Sequence, residues 1–104
     1  MGHDIHMIAD LIVQRRKQVL IHSIIYYRFG ENIISDQQWD KWARELCELQ
    51  KEYPDVAKQC FLAREFENFD PCSGYYLPLE LPWAVEKAKW LVKYGRRKKH
   101  DYRF

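Results

Sequence analysis

No apolar run in this 104-residue sequence approaches the roughly 18 residues that a membrane helix needs. The opening residues, MGHDIHM, also lack the charged-then-apolar plan of a secretion signal. Three cysteines, Cys47, Cys60 and Cys72, stand far apart without a Cys-x-x-Cys pair, which argues against a zinc site and against a disulfide framework. We therefore expect a cytoplasmic protein with unpaired thiols, no membrane segment and no metal.

The alternation of apolar and polar residues that marks half-buried strands is missing as well. Helical spacing predominates, and the fold class that it predicts is all-α, an antiparallel helical hairpin plus two further helices in one small domain. The first helix is expected from about Ile5 to Tyr27, with Asp4 as its cap and Gly30 as its stop.

Polar caps and prolines delimit the next two helices. Ser35, with Gln38 three residues on, predicts a capping box at the start of the second helix, and Pro54 ends it. A third, shorter helix is expected over residues 56–66, capped by Asp55.

The fourth helix is expected to begin with Pro82 in its first turn and to end before Gly95, which matches the preference for proline at the first turn and glycine after the last. Trp83 and Trp90 lie seven residues apart and so share one face. That spacing predicts that both indoles belong to the core.

The net charge of +2 is distributed unevenly. Residues 96–104 hold five Lys or Arg and one Asp, a local charge of +4, whereas residues 1–95 hold twelve basic and fourteen acidic side chains. We expect a single helical domain over residues 1–95 and a basic tail over 96–104, a solvated cluster unless it attracts phosphates. The candidate nucleic-acid contacts of the tail are Arg96, Arg97, Lys98 and Lys99.

The stretch YYRFGENIISDQQWD sets aromatic rings and carboxylates on both sides of the turn between the first two helices. On the first helix, His22 lies four residues before Tyr26 and shares its face, with Tyr27 beside them. On the second helix, helical spacing places Asp36, Trp39 and Asp40 on one face. Closing the hairpin brings both sets together around a pocket of flat rings edged by carboxylates and an imidazole. Such a pocket suits a planar cation, with an aspartate to fix an amide or a sugar hydroxyl.

Structural roles explain these residues one by one. Asp36 is favoured in a first helical turn by the helix dipole alone. Trp39 could pack on Ile34 as a hydrophobic staple. Asp40 could pair with Arg44 four residues on. None of these roles explains the combination.

Residues 19–55 resemble the N-terminal Ia domain of bacterial NAD-dependent DNA ligases. That family runs His-x-x-x-Tyr-(His/Tyr), then (Ser/Pro)-Asp-x-x-Tyr-Asp, then a charged, leucine-rich helix that ends in His-Pro-(Glu/Asp). Order and spacing are kept here, with Trp39 in place of the family's second tyrosine and Tyr53 before the proline. The resemblance implies that the module grips the nicotinamide mononucleotide (NMN) half of NAD. Carried over by position, the cofactor contacts are His22, Tyr26, Tyr27, Asp36, Trp39 and Asp40.

The stretch FENFDPCSGYYLPLELPWAVEKAKWLV is similar instead to the end of small phage and prophage proteins described as DNA ligase-like. Within it, Ser73, Gly74 and Tyr75 could lie over the pocket, or could pack the last helix onto the hairpin. The chain lacks a Lys-x-Asp-Gly nucleophile motif and room for adenylation, OB or helix-hairpin-helix domains, so we do not expect a complete ligase.

The function expected from these resemblances is a non-catalytic, phage-type DNA ligase-like protein, in the cytoplasm of a host cell if phage-encoded, that binds NMN or NAD and needs no metal. The alternative is a phage accessory protein that binds a host protein, a phage protein or DNA and uses the scaffold without a nucleotide. An enzyme that cleaves NAD is a third interpretation, but His22 and the carboxylates come with no persuasive nucleophile.

Overall fold

A computed structural model of the chain describes residues 4–72 and 74–94. Within these ranges the chain forms four helices and no strand: α1 (Ile5–Phe29), α2 (Asp36–Glu52), α3 (Pro54–Gln59) and α4 (Pro82–Tyr94). The all-α class predicted from the sequence, a hairpin with two further helices, is confirmed. Ser73, Gly95 and the basic tail at 96–104, with its four candidate nucleic-acid contacts, lie outside the described residues.

The caps of α1 and α2 are those that the sequence predicts. The Asp4 carboxylate accepts a hydrogen bond from the His6 backbone N–H at 2.9 Å, and Ser35 Oγ accepts one from the Gln38 backbone N–H at 3.0 Å. Gly30 ends α1 in the left-handed conformation with a φ of 63°, which glycine adopts without the steric cost of a Cβ. These local interactions determine where the turn between the two helices begins and ends.

The hairpin is antiparallel, because the end of α1 contacts the start of α2. Trp39 Nε1 donates to Ser23 Oγ at 3.2 Å, and Arg16 Nε donates to Gln50 Oε1 at 2.9 Å. The helix faces between these contacts, together with α4, form the core. Its fully buried apolar side chains on these three helices include Ile12, Val19, Leu20, Ile21, Ile24, Ala43, Leu46, Ala84 and Ala88.

The third helix is shorter than the sequence predicts, and the prediction of residues 56–66 was wrong. α3 starts at Pro54 with Tyr53 as its N-cap, so that Asp55 lies in the first turn and does not cap the helix. The helix ends at Gln59, and the chain continues in turns through Leu62, whose φ of 70° is left-handed. A left-handed residue cannot continue an α-helix, and the path therefore turns back toward α1 and α2.

The buried guanidinium of Arg16 stabilises this early helix end. It is only 1% exposed, and it donates to the carbonyl oxygens of Ala57 at 2.9 Å and Phe61 at 3.0 Å. Gln50, which accepts from Arg16 Nε, donates its own side-chain amide to the Phe66 carbonyl oxygen at 3.2 Å. Burial lowers the pKa of Arg16. The network joins α1, α2 and the turns after α3 through backbone carbonyl oxygens in the last turn of α3 and in the chain that follows it.

Trp83 and Trp90 are not in the core, contrary to the prediction from their spacing. α4 buries Ala84, Ala88 and Leu91, while the two tryptophans are 37% and 53% exposed. Alanine allows the α4 backbone to approach α1 closely, and the buried face is therefore centred on the alanines. The tryptophans lie roughly 100° around the helix from that face.

Candidate functional site

A cavity of about 500 Å³ opens between the end of α1 and the start of α2. All six side chains that the sequence singled out line it: His22, Tyr26, Tyr27, Asp36, Trp39 and Asp40. The antiparallel hairpin produces this arrangement, since it places the last turns of α1 opposite the first turns of α2. The geometry therefore assembles the residues at one place, and their contact with a nucleotide stays a prediction.

Two tyrosine rings at the end of α1 form one wall of the cavity. Tyr26 is 52% exposed and Tyr27 40% exposed, and their ring centroids lie 4.9 Å apart at an interplanar angle of 87°. The perpendicular pair offers both a ring face and a ring edge to a flat molecule.

The indole of Trp39 is held in place by α1. Its Nε1–H donates to Ser23 Oγ at 3.2 Å, and Nε1 lies 3.4 Å from the Val19 carbonyl oxygen. The centroids of the Trp39 and Phe69 rings lie 6.5 Å apart in an edge-on arrangement. The polar atom of the side chain is therefore used to stabilise the hairpin. The ring surface is what Trp39 contributes to the cavity.

His22 lies at the inner end of the cavity. It is buried, and its ring packs at 5.6 Å and a tilt of 46° against Trp42 in α2. The ring is therefore packed between the two helices while it lines the cavity.

The two carboxylates of the cavity differ in their surroundings. Asp40 Oδ2 forms an ion pair with Arg44 Nε at 2.8 Å, and this hydrogen bond and the carboxylate charge raise the pKa of Arg44. The structural role weighed for Asp40 is thus real. Asp36 lies in the first turn of α2 and forms no ion pair with any residue in 4–72 or 74–94. Asp36 therefore offers the less compensated negative charge.

The segment after α3 supplies a further wall. Cys72 lines the cavity, the Gly74 backbone lies against Ser23 and Trp39, and the ring of Tyr75 meets that of Tyr27 at 5.6 Å and 73°. The sequence left two roles open for this segment, lying over the pocket or packing the last helix onto the hairpin, and these contacts place Gly74 and Tyr75 against residues of the pocket. A hydrogen bond with Asp70 and the charge of that carboxylate raise the pKa of the Cys72 thiol.

The sequence reasoning did not assign several other lining residues to the pocket: Ser23, Asn32, Ile34, Ser35, Gln37 and Cys72. Ser23 carried a signal, because it is a small polar residue inside the apolar run VLIHSIIYY. Cys72 carried none, since its position depends on how the chain between α3 and α4 folds back.

Within residues 4–72 and 74–94, no group of three or more His, Cys, Asp or Glu side chains is arranged to hold a metal ion. Of the four helices, none combines the length and the apolar character that crossing a membrane requires. The three cysteines are free thiols, with Cys47 and Cys60 half-buried.

An open cavity lined by rings and carboxylates, at the turn of a helical hairpin, is the kind of concavity in which small molecules bind to proteins. The family is shown by comparison with known proteins. Residues 6–59, 54 of the 104, match the family described as DNA ligase-like, N-terminal NAD+-binding domain, and the chain belongs to that family. The match covers α1 to α3 and ends before Cys72, Gly74 and Tyr75.

Individual relatives are DNA ligases. The chain is 38% identical over 49 residues to a DNA ligase of Pseudothermotoga lettingae, a stretch that is 47% of this chain and 7% of that protein. It is 49% identical over 35 residues to a DNA ligase of Petrotoga mobilis, 34% of this chain and 5% of that protein. The chain thus spans less than a tenth of the length of these relatives. No solved structure gives a significant match.

Proposed function

We propose that the cavity binds the NMN half of NAD and that the chain acts as a non-catalytic binding module. The supporting observation is that six side chains at family-like spacing line one cavity in a member of an NAD+-binding domain family. We further propose a cytoplasmic location, in a host cell where the chain is phage-encoded.

The chemistry of the cavity suits oxidised nicotinamide. The nicotinamide ring is a flat cation, which the faces of Tyr26, Tyr27 and Trp39 attract through stacking and cation–π contact. Its carboxamide and the ribose hydroxyls carry hydrogen-bond donors that carboxylates accept. Asp36 and Asp40 lie at the rim where those donors would reach.

Binding by this domain alone should be weak. The cavity is open on one side, and a module of this size offers few contacts to the adenosine half of NAD. A dissociation constant in the micromolar to millimolar range, about −4 to −8 kcal/mol, is expected.

An NMR titration of the isotopically labelled protein with NMN tests the proposal, with AMP as the control ligand. We expect shifts at the end of α1 and the start of α2, led by Tyr26, Tyr27 and Asp36, and no such shifts with AMP. A flat response to millimolar NMN would contradict the proposal and would turn the search toward protein or nucleic-acid partners.

Variants of the carboxylates locate the ligand. Asp36→Asn and Asp40→Asn should weaken NMN binding by roughly 10- to 100-fold, because each loses a charge-assisted hydrogen bond. Arg44→Gln breaks the same ion pair as Asp40→Asn but keeps the carboxylate, and Glu48→Gln removes an exposed charge elsewhere on α2. If all four variants bind NMN as the parent does, the ligand is not in this cavity.

A further inference from the structure

One face of α4 carries rings and lysines that the nucleotide cavity does not use. Trp83, Lys87, Trp90 and Tyr94 follow each other at steps of four, three and four residues. At about 100° per residue these four side chains fall within an arc of about 60°, and the row rises about 17 Å along the helix. We call this row the α4 stripe.

The α4 stripe is exposed, and its rings are paired. Trp90 and Tyr94 lie 5.3 Å apart, and Trp83 lies 5.5 Å from Phe61 of the turns after α3. Trp90 and Phe61 are each about half exposed, Tyr94 is 41% exposed, and Trp83 is also open to solvent. Phe61 therefore extends the aromatic surface beyond the first turn of α4.

Three of these four rings have a lysine above them. The Lys87 ammonium lies 5.4 Å from the centroid of Trp90, Lys93 lies 5.4 Å from that of Tyr94, and the α1 residue Lys17 lies 5.9 Å from that of Phe61. The one acidic residue of α4, Glu86, is paired with Lys89 at 3.5 Å on a neighbouring face of the helix. The α4 stripe and Phe61 thus combine aromatic rings with lysine ammonium groups.

The combination of rings and lysines narrows the class of partner. Protein interfaces are enriched in tryptophan and tyrosine but depleted in lysine, so lysines beside the rings are unusual for a protein-binding face. Proteins that bind single-stranded nucleic acid instead combine stacking rings with positive charges that follow the backbone. The charge complementarity favours a polyanion that carries flat groups.

We propose that the α4 stripe binds single-stranded nucleic acid, with bases stacked on the tryptophan rings and phosphates at Lys87 and Lys93. The α4 stripe shares no residue with the lining of the nucleotide cavity or with 96–104. The proposal therefore does not depend on whether the cavity binds NMN.

Fluorescence anisotropy of a dye-labelled oligothymidylate, titrated with the full chain over a series of salt concentrations, tests this proposal. The double variant Trp83→Ala/Trp90→Ala should weaken binding by roughly 5- to 150-fold for each base that no longer stacks on a ring, with little change in the salt slope. Lys87→Ala/Lys93→Ala should instead reduce the salt slope, by about 0.7 for each phosphate that the lysines no longer neutralise. Circular dichroism checks that both variants remain helical.

Matched controls separate the α4 stripe from general surface effects. Tyr76→Ala removes a ring that is 91% exposed outside the stripe, and Lys41→Ala removes an exposed charge from α2. Neither control should change the affinity by more than roughly twofold, since neither residue meets a base or a phosphate in this arrangement. A variant with the four basic residues of 96–99 changed to alanine should retain the tryptophan dependence.

Several results would overturn the proposal. One is a parent protein that does not bind the oligothymidylate at low salt. Another is undiminished binding by both stripe variants while the tail variant loses it, which would assign the binding to the tail. In a third result, sedimentation velocity shows that the parent protein is a dimer and that Trp83→Ala/Trp90→Ala is a monomer, with no loss of oligothymidylate binding. This face would then be a contact between two copies of the chain.

Discussion

Replacing Gly74 by alanine tests how the segment after α3 closes the cavity. A Cβ atom at this position would overlap Ser23 Oγ and would lie 3.0 Å from Ser23 Cβ and 3.1 Å from Trp39 Cζ2. Carbon atoms pack best at about 3.5–4.0 Å, so the methyl group fits only if the segment or the Ser23 side chain moves. Gly74 has no left-handed φ, and space alone therefore requires glycine there.

The expected loss of stability follows from two contributions. Forcing an extra methyl group into a packed site costs about 1–3 kcal/mol. If Ser23 Oγ turns away, the Trp39 indole N–H loses its acceptor at 3.2 Å, which costs a further net amount of about 1 kcal/mol. Gly74→Ala should therefore lower the free energy of unfolding by about 2–4 kcal/mol. It should also weaken NMN binding, because the cavity wall moves.

Urea unfolding followed by circular dichroism measures the effect, and a double-mutant cycle with Ser23→Ala gives its cause. Ser23→Ala alone removes the acceptor of Trp39 and should cost about 1 kcal/mol. In the double variant it also removes the closest clash with the new methyl group. The double variant should therefore lose less stability than the sum of the single variants, by about 1 kcal/mol or more.

Gly30→Ala is the matched control for this cycle. Gly30 has a φ of 63° and nothing within 4 Å of its added Cβ, so alanine there costs about 1–2 kcal/mol through backbone strain alone. Its effect should add to that of Ser23→Ala. The reasoning is refuted if the free energy of unfolding of Gly74→Ala lies within about 0.5 kcal/mol of that of the parent. It is also refuted if the coupling energy between positions 74 and 23 is no larger than that between positions 30 and 23.

Two further predictions concern the buried network and the thiol of the cavity. Arg16→Met should lower the free energy of unfolding by about 3–5 kcal/mol, because several carbonyl oxygens lose a charged donor. Arg15→Met breaks a partly exposed ion pair with Glu45 and should lower the free energy of unfolding by about 1 kcal/mol or less. Because the Asp70 carboxylate raises the pKa of Cys72, Asp70→Asn should lower that pKa and speed alkylation of Cys72 by iodoacetamide near pH 8, while bound NMN should slow it.

Either measurement can contradict its prediction. Equal urea midpoints and slopes for the two arginine variants would show that the buried network contributes no more than an exposed pair. Peptide mass spectrometry resolves the modification of each cysteine. An unchanged pH profile for Cys72 in Asp70→Asn would remove the electrostatic explanation, and equal alkylation with and without NMN would place the ligand away from that wall.

The ends of α1 and α2 could be predicted from the sequence because their signals are local. Ser35 and Gly30 act within a few residues of their own position, through a side-chain hydrogen bond and a left-handed φ. The end of α3 could not be predicted, because the side chain that binds its carbonyl oxygens belongs to Arg16, 41 residues before Ala57. The exposure of Trp90 could not be predicted either, because spacing assigns residues to one face of α4 but does not say which face packs against α1.

Part of the candidate site could be predicted from the sequence, and part of it depends on the tertiary structure. The sequence by itself determined that rings and carboxylates meet across the turn, because helical spacing and a short connection leave the hairpin little freedom. Only the tertiary structure decided what closes the cavity. Gly74 reaches Ser23, and Tyr75 reaches Tyr27, because the chain after α3 folds back over α1 and α2. Contacts between residues so far apart in sequence depend on the packing of the whole core, and no local pattern encodes them.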